Sequence, residues 1–273
     1  MEERRMEIKE ERIDPDLVKR TAIDVYDYSD GDVVLVGAHT ALPGILGHRL
    51  MRRHGNHLDF LSRPGGLEKL SRRYKLYRIP RNSTNSDRLG SIWFENDVGG
   101  RHVTVALSLE GDPPFTEEMY RAIVDDALEL AIDFGSSQRG TIRVARPEYT
   151  IACKIDRLNR TGNNTHKRDV SDVSTLLVAS HFLSDGKTIA DYRYRADVDL
   201  EKVAEIVGTH YCGSCGHRNG RVECTTPLYG RDYKHGSLRS GSLTPEEAIH
   251  CESHLRTLDG FLQRYCAPGV GRK

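Results

Sequence analysis

Val33-Val34-Leu35-Val36, a run of branched apolar residues cut off by Gly37, constrains the fold more than any other segment of the chain. A run so short and so apolar reads as a buried strand. The sequence supplies partners for it. His57-Leu58-Asp59-Phe60-Leu61 follows a period of two, with His57, Asp59 and Leu61 on one face and Leu58 and Phe60 on the other. Residues 91–95 and 102–109 predict a hairpin closed by Asn96-Asp97-Val98-Gly99-Gly100, and residues 141–144 predict another short strand.

Helices are expected around these strands. Asp14 as N-cap and Pro15 at the first helical position open one that runs to about Tyr26. A second is expected over 40–53, with Pro43 tolerated only in its first turn. Gly65-Gly66 is expected to break the chain after the second strand, with a helix from Leu67 to Tyr74. Thr116 caps a helix expected to reach about Ile132, with Glu117 and Glu118 in its favourable first turn. Further helices are expected over 147–159, 167–183 and 199–207. Strands mixed with helices, then helices alone, then a Cys-rich tail describe an α+β chain. Its expected domains are 1–140, 141–208 and 209–273.

The 37% apolar content and 25 glycines of this 273-residue chain support a sizeable core. No apolar run approaches the ~20 residues that cross a bilayer. Residues 1–10 carry no hydrophobic stretch of the secretion-signal kind, so a reducing cytoplasm is the expected setting. Five of six cysteines lie after residue 211, which suits metal binding there better than a secreted disulfide framework.

Forty basic residues cancel forty acidic ones, but unevenly. Between Pro43 and Arg88, eleven Lys and Arg face three acids; between Glu95 and Asp133, ten acids face Arg101 and Arg121. One reading is a basic face for a nucleotide or RNA. The other is two segments that neutralise each other.

The tail contains a Cys-x2-Cys-Gly knuckle, Cys212-Gly213-Ser214-Cys215-Gly216. Thr244-Pro245-Glu246-Glu247 then starts a helix whose apolar stripe is Ala248, Cys251, Leu255, Leu258 and Leu262. The arrangement resembles a treble-clef zinc module. The expected structural zinc ligands are Cys212, Cys215, Cys251 and His254, with Cys224, His217 and His250 competing. The alternative makes Cys251 a core residue and the knuckle a free or redox-active pair.

Four segments, in order, resemble the AbiEii-type nucleotidyltransferases of the polymerase-β-like superfamily. They are Leu35-Val36-Gly37-Ala38-His39-Thr40-Ala41-Leu42; Arg53-His54-Gly55-Asn56-His57-Leu58-Asp59; the strand 103–109 with Glu110-Gly111-Asp112; and Arg146-Pro147-Glu148-Tyr149 leading through Lys154 and Arg160 to Lys167-Arg168-Asp169-Val170-Ser171-Asp172. The resemblance covers about residues 14–183. It implies a glycine turn at Gly37 and Ala38 that cradles a nucleoside triphosphate, with Arg53, Lys154, Lys167 and Asp169 beside the nucleotide. It also implies a Mg²⁺ site, for which Asp59 is the retained carboxylate. His57 takes the position of the first carboxylate and Ala106 that of the third, with Glu110 the nearest substitute. Two activities follow as expectations. One is transfer of a nucleotidyl group to RNA, tRNA or protein in a toxin–antitoxin or phage-defence setting. The other is a decayed site that binds nucleotide, RNA or an antitoxin-like protein.

Overall fold

The computed structural model describes residues 1–3, 15–37, 57–79, 91–98, 100–112, 115–133, 139–160, 173, 176–177, 198–211 and 245–265. The expected helix over 40–53, most of that over 167–183, and the Cys212–Cys215 knuckle lie outside them. The described residues fall into two compact units that divide between Arg146 and Pro147.

The first unit is built on an eight-stranded mixed sheet. Its strands are β1 (Glu2–Glu3), β2 (Val33–Val36), β3 (His57–Ser62), β4 (Tyr77–Arg78), β5 (Ile92–Val98), β6 (Arg101–Ser108), β7 (Leu128–Asp133) and β8 (Arg139–Val144), in the spatial order β1-β4-β5-β6-β3-β2-β8-β7. β3 lies at the centre, antiparallel to β2 and parallel to β6. All four residues of β2 are buried, as their apolarity requires.

One sheet face is closed by α1 (Pro15–Tyr28) and α2 (Pro64–Arg73). In α1, Val18, Ala22 and Val25 recur at helical spacing and are buried. They join Leu35, Leu58, Phe60, Phe94, Val105 and Leu107 in one core cluster. Each Val, Leu or Phe side chain taken fully out of water contributes about 1.5–3 kcal/mol. A polar pair crossing this core is satisfied internally: Asn96 of β5 donates to the Thr21 hydroxyl of α1 at 3.0 Å.

Three local expectations change. α2 starts at Pro64, so Gly65 and Gly66 lie inside the helix instead of breaking the chain before it. Proline is well suited to a first helical position, and Gly66 is needed there because a Cβ would sit 2.9 Å from the Asp32 carbonyl oxygen. The hairpin strands extend to Val98 and Arg101, contracting the five-residue loop to two glycines, with Gly100 at φ 81°. The helix capped by Thr116, α3 (Glu117–Asp125), stops a full element early, and Leu128–Asp133 becomes the strand β7, antiparallel to β8.

The second unit is helical where described: α4 (Pro147–Arg160), α5 (Leu200–Ile206), a π-helical turn over Val207–Tyr211, and α6 (Pro245–Tyr265). α5 packs against both α4 and α6. Its N-cap Asp199 accepts from the Lys202 amide, while the Asp199 amide donates to Glu148 of α4. The molecule is thus an α+β protein with a mixed sheet. Among the described residues, no helix is long and apolar enough to cross a membrane.

Candidate functional site

Strand alternation decides which residues share the sheet face opposite α1 and α2. Leu58 and Phe60 of β3 enter the main core, so His57 and Asp59 project to the other side. Val103, Val105 and Leu107 of β6 do the same, leaving His102, Thr104, Ala106 and Ser108 beside His57 and Asp59. The ladder aligns these groups in rows. His57 faces Thr104, which faces Glu95; Asp59 faces Ala106, which faces Trp93. On the other flank Val36 of β2 faces Asp59, and the next residue, Gly37, turns with φ 78°. That left-handed conformation suits glycine, and it bends the chain beside the His57–Asp59 pair.

His57 Nε2 lies 2.8 Å from Asp59 Oδ1, and both side chains are largely buried at 18% and 14% exposure. A carboxylate only accepts, so the imidazole donates from Nε2. Nδ1 is buried and has no hydrogen-bond partner among the described residues. Ala106 is fully buried and packs with Trp93, against which Tyr77 and Ile79 also rest. The place opposite Asp59 is therefore an apolar patch.

Glu110 lies past the end of β6, where it accepts from Arg121 Nε at 2.6 Å. It sits four residues beyond Ala106, a span of about 13 Å along a strand. Asp112 closes the same turn, accepting from the Leu109 amide at 2.7 Å and from the Ser91 hydroxyl. Near the C-terminal end of β3, the Tyr120 hydroxyl of α3 donates to the Ser62 carbonyl at 2.8 Å. Burial, reinforced by the negative field of Glu110, pushes its phenol up to about 12.

Lys154 is half-buried on α4 of the second unit. On α6, Cys251 is fully buried in a stripe with Leu255, Leu258 and Leu262, while His254, three residues on, is half-buried. Ala38, Arg53, Lys167, Asp169, Cys212 and Cys215 lie outside the described residues, as do the competing Cys224 and His217. Among the described residues, no three His, Cys, Asp or Glu side chains are placed to hold a metal ion.

Part of the basic segment is paired locally. Lys69 reaches Asp30 at 3.0 Å and Asp32 at 3.2 Å, Arg72 binds Glu68 at 2.6 Å, and Lys75 binds Glu2 at 3.2 Å. Arg73 stacks over the exposed Tyr28 ring at 5.1 Å. Glu95 and His102 were not among the expected site residues, although the hairpin alternation that places Ala106 on this face also brings them to it.

No protein-family model matches the chain, and no curated protein matches its sequence.

Proposed function

We propose that the chain is a cytoplasmic nucleotide-binding protein with a nucleotidyltransferase-type fold akin to the AbiEii-type enzymes, in which the two-metal carboxylate site has been lost. The observation that carries this reading is the β2–β3–β6 ladder. It sets a glycine bend beside Asp59, while Ala106 faces that carboxylate and the His57 imidazole holds it. Mg²⁺ requires oxygen ligands, and a two-metal site needs several carboxylates converging on one place. Asp59 stands alone, with Glu110 engaged by Arg121, so the described residues do not fit a Mg²⁺ pair.

Structural zinc on Cys212, Cys215, Cys251 and His254 belongs to the same proposal. Cys251 and His254 share one side of α6 at i, i+3 spacing, as two ligands from a single helix must. RNA, tRNA or an antitoxin-like protein would be the macromolecular partner.

Calorimetric titration of the full chain with ATP and GTP, each with and without Mg²⁺, tests the reading. Saturable binding that survives EDTA is expected, and no heat with any nucleotide overturns it. A second reading, transfer of a nucleotidyl group to RNA or protein, is favoured by one observation, the retention of Asp59 next to the Gly37 bend. Label from α-³²P-NTP incorporated into RNA or protein, and abolished by Asp59→Ala, would establish transfer in place of binding alone.

A further inference from the structure

The sheet of the first unit ends in two unlike edges. β1 at one end is two residues long, and both are exposed glutamates, Glu2 and Glu3. Short and charged, it is an edge that resists further pairing. β7 at the other end is six residues long and meets β8 one to one over its whole length, without a bulge. Leu128-Glu129-Leu130-Ala131-Ile132-Asp133 contains neither proline nor lysine, the residues that commonly protect an edge. Among the described residues, no strand and no backbone hydrogen bond lies on the outer side of β7. An antiparallel edge strand aims the N–H and C=O of every second residue outward, which makes it a template for another strand.

The pattern of β7 selects what fits there. Leu128 and Leu130 are half-buried and pack against the main core, while Glu129 between them is exposed. A strand laid outside β7 extends that core when its own apolar positions come to the α1 side, and β7 itself has such a pattern. Two copies related by a two-fold axis normal to the sheet keep their α1 layers on one side. Facing residues then share a face, so the antiparallel pairing is centred on a residue and not between two. Centred on Leu130, position 128 faces 132, Leu130 faces its own copy, and Glu129 faces Ala131. Apolar positions meet apolar positions, and neither acid faces an acid. Centred on Ala131, Glu129 would face Asp133 twice; centred on Glu129, it would face itself. Like charges directly opposite are destabilising. Within each copy Glu129 is already faced by Arg143 of β8, which offsets the repulsion between the two Glu129 carboxylates across the diagonal.

We propose that β7 is a dimerisation edge. A second copy of this chain pairs antiparallel with it about Leu130, joining two eight-stranded sheets into one. The pairing is independent of nucleotide binding.

Sedimentation equilibrium of the full chain, under reducing conditions so that cysteines do not link copies, is expected to show a monomer–dimer equilibrium. Hydrogen exchange is expected to slow in the β7 amides as protein concentration rises, with those of β5 and β6 unchanged. Ala131 supplies the test of register. Two positions from Glu129, it shares that residue's face and lies opposite Glu129 of the other copy at two symmetric places. Ala131→Asp should raise the dimer Kd about three- to tenfold, and Ala131→Lys should lower it by a similar factor. A single monomeric mass at every concentration overturns the proposal. So does a dimer whose β7 amides exchange equally fast at all concentrations, or whose Kd ignores the charge at position 131. The exchange comparison uses the unmodified protein and stands even if a variant fails to fold.

Discussion

A single phenol illustrates how burial becomes pH dependence. Tyr120 is 4% exposed, and its hydroxyl donates to the Ser62 carbonyl. Burial first, then the nearby Glu110 carboxylate, raises its pKa from 10.0 to about 12 in the folded protein. In the unfolded chain the phenol titrates near its ordinary value. Between those two pH values the unfolded state has released a proton that the folded state retains, so stability falls as pH rises. The contribution is fully present below about pH 10 and is lost on passing through about pH 12, an effect on the order of 2 kcal/mol. Tyr74 is shifted in the same direction, also mainly by burial, and adds to the slope. Tyr120→Phe should therefore cost about 0.5–1.5 kcal/mol at neutral pH through the lost hydrogen bond. It should also flatten the decline in urea midpoint between pH 9.5 and 11.5. An unchanged alkaline slope in the variant would show that Tyr120 ionises freely in the fold.

Elements were legible where local chemistry and tertiary demand agreed. α1, β2, β3 and β8 follow from a proline-led start, an apolar run or a period of two, and each forms where those signals place it. α3 shows the opposite case. Tyr120, Ile123, Val124, Ala127 and Leu128 continue a helical spacing past Asp125, yet Leu128 and Leu130 also alternate, and β8 offers an edge for that second pattern. Pairing along the whole of 128–133 outweighs the weak preference for continuing a helix. Gly65-Gly66 misleads for a different reason. Glycines normally disfavour a helix, but these two sit in its first turn to admit Asp32, a residue more than thirty positions away. Residue types and spacing were legible in single strands, but that Ala106 lies opposite Asp59 is a matter of ladder register, which no single strand encodes and only the resemblance implied. The glycine pair yields a paired prediction. At Gly66 a Cβ meets the Asp32 backbone oxygen at 2.9 Å and Asp32 Cβ at 2.8 Å, neither of which can swing aside. At Gly65 the nearest atom is Asp32 Oδ2 at 3.1 Å, the far end of a side chain. Gly66→Ala is expected to destabilise by about 1–3 kcal/mol. Gly65→Ala should stay within about 1 kcal/mol of the parent, helped by helix propensity. Denaturant unfolding of the two variants checks the contrast, and equal losses would refute the close approach as its cause.

At the scale of the whole chain, the two units differ in how they are held together. The first has a continuous apolar core under an eight-stranded sheet, and the paired residues of its basic segment reduce what that segment offers a polyanion. The second is helical where described, with Cys251, Leu255, Leu258 and Leu262 of α6 buried at helical spacing. A unit of this kind draws part of its stability from a metal where one binds, because the free energy of coordination is realised only in the folded form. If zinc joins Cys251 and His254 to the knuckle, stripping it removes that term from α5 and α6 and leaves the sheet as an internal reference. Metal analysis of the dialysed protein should then find zinc in equimolar amount. Hydrogen exchange after chelation should show faster exchange in the amides of α5 and α6, with those of β3 and β6 unchanged. Cys251→Ser separates ligand from core: a ligand takes the zinc with it when lost, whereas a core residue weakens packing while zinc stays bound. The expected result is loss of zinc, because a sulfur fully removed from water three residues before a half-buried imidazole has the burial and spacing of a structural ligand pair.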